Sequence, residues 1–255
     1  ASAALMFASQ VAFARWLGAH DYGVFTFVLV LVNVIGTLCP FGFATSVVRF
    51  MPEYRERGES GLARGFLLAG GLVSFAVGLL AGIAGVALLL GYDGFVSEDY
   101  RVPIALGLLS LPAFALTDYM DGVGRSQGWI NMALTPPYIV RPCLILLFVG
   151  FALAAGFTNT AATAAMAATI AIWVTMLSQL TVLSRRFVGE LPRTARRYDT
   201  RNWLAVSLPL VLLEGFSILL LNVDVLLLER FVSPAQVGIY FAAARTISLI
   251  AFIHF

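Results

Sequence analysis

The sequence predicts an all-α, polytopic membrane helix bundle: a six-helix N-terminal lobe followed by the start of a second lobe that repeats it. Three observations predict this. First, the chain is 60% hydrophobic and only 12% charged, with mean hydropathy +0.91. A soluble domain averages about 25% charged residues, so this much apolar surface belongs in lipid. Second, arginine alternates between successive connecting loops. Third, a stretch near the start of the chain returns near its end.

A membrane helix needs about 20 mostly apolar residues. The runs that qualify are 1–17, 24–48, 65–90, 103–121, 131–155, 162–184 and 204–228, with an eighth from about residue 237. All basic residues are arginine. Loops 49–64, 122–130 and 185–201 hold Arg49, Arg55, Arg57, Arg64, Arg125, Arg185, Arg186, Arg193, Arg196, Arg197 and Arg201. The alternate loops, 18–23, 92–101, 156–161 and 229–236, hold only Arg101 and Arg230. Arginine accumulates in short cytoplasmic loops. The alternation therefore supports the span count and puts the N-terminus in the cytoplasm.

Along the chain, each span carries its own signals. The first ends at Arg15 and passes through a polar loop into the second. Pro40 and Gly42 should kink the second span, and Pro112, Pro142 and Pro209 are positioned to bend others. Gly70, Ser74, Gly78 and Gly82 recur every four residues in the third span, a stripe that lets helices approach closely in lipid. Asp118 and Asp121 close the fourth span. A solvated helix end is the plainer reading of that pair, and a cation-holding pair the alternative. Cys39 and Cys143 both lie in apolar runs and read as buried, inert thiols.

Shifted by 215 positions, Arg15 falls on Arg230, Gly23 on Gly238 and Phe25 on Tyr240. Six spans separate equivalent points. Six is even, so the copies share an orientation, as in parallel-repeat transporters. The expected organisation is a lobe over 1–184 whose first helix is shortened at its start, a basic cytoplasmic linker over 185–203, and the first two helices of a second lobe over 204–255. Read this way, the chain is a fragment of a protein with twelve or more spans.

The stretches "ARWLGAHDYGVFTFVLVLVNVIG" and "ATSVVRFMPEYRERGESGLARG" resemble the opening of polysaccharide flippases. These belong to the multidrug, oligosaccharidyl-lipid and polysaccharide exporter superfamily. "SLPLVLLEGFSILLLNVDVLLLERFVSPAQVGIYFAAARTISL" resembles that family's junction between lobes. The turn from Asp121 to Trp129 and the "VRP" of the fifth span also fit. The resemblance implies two six-helix lobes around a central cavity, lined by the first two spans of each. It implies that polyprenyl-diphosphate-linked glycan is moved across the bacterial inner membrane. The partners it implies are that glycan, membrane lipid and other glycan export proteins, with no cofactor and no nucleic acid.

Charges inside the bilayer cost on the order of 3 kcal/mol on insertion scales, so they face partners or water. Arg141 and Glu214 both lie about ten residues from the cytoplasmic ends of their spans, roughly 15 Å deep at 1.5 Å per residue. They are candidates for a structural ion pair. Arg141, Arg245, Arg49, Asn33 and Asn222 are candidate substrate-binding residues, because guanidinium forks match phosphate oxygens and stay charged. The resemblance places the helix of Arg245 at the cavity, which makes it the first choice. Arg49 also reads as a positive-inside anchor. Arg15 and Arg230 read as snorkelling to the outer interface. Glu214 and Asp224 are candidates for a coupling cation or proton, or for holding an arginine. The basic stretch 185–201 could meet anionic headgroups.

"GVGRSQG" does not have the spacing of a dinucleotide fingerprint, and there is no phosphate-binding loop. His20 and His254 are the only histidines, so no transition-metal site is expected. No catalytic set stands out, and the protein is not expected to be an enzyme. Three alternatives to the flippase remain, one of them a purely structural membrane scaffold, which leaves the buried charges unexplained. A cation-coupled multidrug antiporter predicts a mostly acidic and aromatic cavity. A membrane-embedded glycan polymerase or ligase predicts a large outer loop, and the outer loops here are short.

Overall fold

The computed structural model describes residues 2–92, 96–190, 192 and 194–253. Arg193 and His254 lie outside the described residues. Every regular element among the described residues is helical: α1 (Ser2–Leu38), α2 (Phe43–Glu56), α3 (Ser60–Gly91), α4 (Glu98–Leu108), α5 (Leu111–Ser126), α6 (Ile130–Thr135), α7 (Arg141–Ala154), α8 (Ala161–Glu190), α9 (Thr200–Leu228) and α10 (Pro234–Ile253). A π-turn, Pro136–Val140, joins α6 to α7.

Five helical stretches are long and apolar enough to cross a membrane, or six if the bent pair α4–α5 counts as one span. The chain is a multi-pass membrane helix bundle. The first apolar stretch, Phe7–Glu56, runs for 50 residues, about 75 Å if straight, against a hydrocarbon core of about 30 Å. It is broken twice. Gly18 has φ 77° and ψ 169°, a conformation essentially reserved for glycine. The polar segment after it is helical, so the expected loop 18–23 contracts to one residue. Residues 39–42 form the second break, where Phe41 and Gly42 both take positive φ. This is the kink expected at Pro40 and Gly42. The chain bends again at Leu109 and Ser110, by 49° between α4 and α5, just ahead of Pro112. Pro209 sits within α9 without interrupting it.

The glycine stripe of α3 faces α4 and α5. A Cβ on Gly70 would fall 2.6 Å from the Tyr119 ring, one on Gly78 2.8 Å from Pro112 Cα, and one on Gly82 2.8 Å from the Leu108 carbonyl oxygen. The Tyr119 hydroxyl donates toward the carbonyls of Phe66 and Leu67, each at 3.3 Å.

The connecting segments gather at two ends, as the alternation of arginine requires. At one end, His20 Nε2 lies 3.2 Å from Asp99 Oδ2. There too the Ala161 amide donates to Asp21 Oδ1 at 2.6 Å. At the other end, residues 194–199 lie along the start of α3. The Arg197 amide donates to the Gly61 carbonyl at 3.0 Å, and Arg64 donates to the Thr194 carbonyl at 2.5 Å. A Cβ on Gly65 would fall 1.9 Å from the Arg197 carbonyl oxygen, so only glycine lets the segment lie this close. Trp203 follows, fully buried against Phe66, with its indole N–H donating to the Tyr54 hydroxyl at 2.7 Å.

Helices α9 and α10 pack chiefly on α1. The repeat is visible in that contact. A Cβ on Gly23 would fall 1.8 Å from the Pro234 carbonyl oxygen, and one on Gly238 would fall 3.0 Å from the Ala19 carbonyl oxygen. Ala19 and Pro234 are related by the same 215-residue shift as Gly23 and Gly238. Equivalent segments therefore meet reciprocally, as isologous contacts do about a two-fold axis. Cys39 is buried as expected. Cys143 is exposed, which corrects that expectation: it lies on the outward face of α7.

Candidate functional site

The site begins with two prolines. Pro136 and Pro137 carry no N–H, so the regular i→i−4 ladder fails there. The Arg141 amide reaches back to the Pro136 carbonyl, closing the π-turn. Single π-turns of this kind recur at functional sites. Here the turn brings Tyr138 and Arg141 to the wall of a cavity of about 190 Å³. Asn33 and Thr37 of α1 form another wall, and Phe114, Asp118 and Asp121 of α5 a third.

The Arg141 guanidinium lies 4.6 Å above the centroid of the Phe114 ring. Its Nε is buried and meets no hydrogen-bond partner among the described residues. Asp121 Oδ2 pairs with Arg125 at 3.2 Å, while its Oδ1 is buried without a partner among the described residues. Asp118 makes no hydrogen bond or close ion pair among the described residues. The expectation of a solvated helix end for Asp118 and Asp121 is corrected. Helix α5 runs on to Ser126, so both carboxylates lie inside the helix, half-buried, on the cavity.

The other candidates lie elsewhere. Glu214 accepts a hydrogen bond from Thr45. No ion pair joins it to Arg141 among the described residues, which corrects the expectation of a pair at matching depth. Exchanging the two charges, Arg141→Glu with Glu214→Arg, is accordingly expected to be no milder than the worse single change, read by thermal unfolding and membrane abundance. Recovery in the exchanged variant would reinstate the pair. Asn222 is buried and donates to the Ile218 carbonyl of its own helix at 2.8 Å. Asp224 accepts from the Tyr240 hydroxyl at 2.6 Å, and its second oxygen is buried without a partner among the described residues. Arg245 and Arg49 are exposed, 4.9 Å above Phe241 and 5.9 Å above Phe50 respectively.

Of the residues expected from sequence, the cavity thus gathers Asn33 and Arg141, and it leaves out Arg49, Glu214, Asn222, Asp224 and Arg245. It adds Thr37, Phe114 and Tyr138, which carry no charge and gave no signal as isolated residues. The adjacent prolines beside Tyr138 were the available clue, since they forecast an irregular turn there.

Among solved structures, one called "protein A" has a TM-score of 0.68 to this chain at 16% identity. The alignment covers 98% of this chain and 58% of that one, so the chain spans little more than half the length of that structure. At this identity the likeness is one of fold. No curated protein matches the sequence significantly. The sequence profile of one family, described as polysaccharide biosynthesis protein, matches residues 1–254. The membrane helix bundle, the repeat and that end-to-end match agree: the chain belongs to the polysaccharide biosynthesis protein family.

Proposed function

We propose that this chain belongs to a transporter that flips polyprenyl-diphosphate-linked oligosaccharide, such as an O-antigen or exopolysaccharide unit, from the cytoplasmic to the outer face of the bacterial inner membrane. Residues 1–184 form the first lobe, 185–203 the cytoplasmic linker, and 204–255 the opening of the second lobe. The arginine-rich end faces the cytoplasm. Transport proceeds by alternating access, with the two lobes rocking about a shared axis, and the protein catalyses no covalent chemistry.

The observation that carries this reading is the reciprocal contact of Ala19 and Gly23 with Pro234 and Gly238. Two repeat-related segments that meet about a pseudo-two-fold axis are what rocking lobes need. In this reading Arg245 and Arg49 contact the diphosphate. Asp224, with an unpartnered oxygen on α9, favours one variation: a carboxylate that takes a coupling cation or proton. That feature would also serve a multidrug antiporter of the same superfamily. The test is complementation by the full-length protein in cells lacking their own flippase, scored by lipid-linked glycan at the outer face. Arg245→Ala is expected to lower export roughly 10–100-fold, the equivalent of about 1.5–3 kcal/mol for a hydrogen bond to a charged group, at unchanged membrane abundance. Normal export by that variant would remove Arg245 from the site. Drug efflux in place of glycan export would favour the antiporter.

A further inference from the structure

We propose that the cavity between α1, α5 and the π-turn is a subsite for one uncharged sugar ring; as a part of transport, this rests on the flippase reading above. Its wall is about half polar; Thr117 spends its hydroxyl on the Ala113 carbonyl at 2.8 Å and Asp121 pairs with Arg125, while most of the other hydrogen-bonding groups are unspent. Among the described residues, Asn33, Thr37, Asp118, Tyr138 and Arg141 make no side-chain hydrogen bond or close ion pair. Two atoms on this wall, Arg141 Nε and Asp121 Oδ1, are buried without a partner among the described residues. Buried polar atoms are ordinarily satisfied, so unpartnered ones on a cavity wall point to a ligand or water that satisfies them.

The charges decide what kind of ligand. Arg141 and Asp118 offset one another, and Asp121 is offset by Arg125 at 3.2 Å. A diphosphate placed here would meet two carboxylates. A cation would meet the guanidinium on the same wall. A polyhydroxylated ring meets neither penalty, because each hydroxyl both donates and accepts. Carboxylates accept from hydroxyls, the guanidinium donates to them, and the Asn33 amide does both. The Tyr138 ring offers an apolar face to the C–H side of a pyranose. At about 190 Å³, the space holds about six waters at roughly 30 Å³ each. That suits one ring with its hydroxyls rather than an oligosaccharide. The subsite would read the identity of a sugar, separately from the charged headgroup.

The test uses the purified full-length protein carrying Thr37→Cys, with every native cysteine, Cys39 and Cys143 included, replaced by Ala or Ser. Labelling of residue 37 by a hydrophilic thiol reagent is timed with free glucose, galactose, N-acetylglucosamine or rhamnose, and with sodium chloride or inorganic pyrophosphate. At least one sugar is expected to slow labelling about threefold at roughly twice its dissociation constant, and Asp118→Asn to cancel that protection. Protection by sodium alone or by pyrophosphate alone would overturn the proposal in favour of a cation or headgroup site, and so would no protection by any sugar. Equilibrium dialysis of tritiated sugars against the unsubstituted protein and Asp118→Asn repeats the comparison without engineered cysteines. The two readings fail separately. Sugar binding without glycan export sinks the transport reading and leaves the subsite; export without sugar binding does the reverse.

Discussion

Gly23→Ala is expected to lower the stability of the full-length protein by about 3 kcal/mol, at the upper end of the range for overpacking. The new Cβ would fall 1.8 Å from the Pro234 carbonyl oxygen and 2.6 Å from the carbonyl carbon. Both are backbone atoms, so no rotamer change relieves the contact, and α1 or α10 has to move. For 150–250 residues, 3 kcal/mol corresponds to a drop in Tm of roughly 6–12 °C, and a longer protein shifts less. The equivalent change in the second half, Gly238→Ala, is expected to cost less than about 1.5 kcal/mol. There the Cβ would sit 3.0 Å from the Ala19 carbonyl oxygen, and a shift of a few tenths of an ångström relieves it. The two glycines are equivalent in sequence and unequal in space. Thermal unfolding of the two variants in detergent checks the ranking; a larger loss for Gly238→Ala would mean that the close approach has been assigned to the wrong half of the repeat.

Trp203→Ala is expected to cost about 3–5 kcal/mol, as for other large aromatic truncations in packed sites. Trp203 is fully buried, with its ring edge-on to Phe66 at 5.2 Å and its N–H on the Tyr54 hydroxyl at 2.7 Å. Trp203→Phe keeps the ring contact and loses the hydrogen bond, so it is expected to cost only about 1 kcal/mol. The seat of Trp203 also fixes the segment before it. Trypsin should therefore cut at Arg196, Arg197 or Arg201, which are all exposed, several times faster in Trp203→Ala than in the parent. Equal cutting would show that the segment is held by its contacts with Gly61 and Gly65 alone.

Much of the architecture was legible before any coordinates. Hydropathy and alternating arginine anticipate the spans because lipid excludes charge at nearly every position along them. The glycine stripe of α3 was legible because close helix packing in lipid leaves few other choices of residue. The turn at Gly18 was less so: a run of polar residues reads as a loop, yet one glycine at φ 77° makes the turn and the polar residues go into the helix. Depth was misread for Asp118 and Asp121. Hydropathy marks where a span stops being apolar, and α5 continues for more than a turn beyond that point. The partners of Arg141 and Glu214 could not be read at all. Equal depth is a one-dimensional statement, and which helices face one another is set by bends such as the π-turn, which periodicity does not reveal.

The segment fastened across α3 has a consequence for how the bundle can open. From Trp203 onward, α9 stays joined to α2: Ser46 and Ser207 share a hydrogen bond at 2.7 Å, and Thr45 donates to Glu214 further along. Together these make a seam, like the spine of a book, with the linker as its binding. Halves bound along a spine part at the fore-edge. Any opening of this bundle is therefore expected on a flank away from the α2–α9 seam.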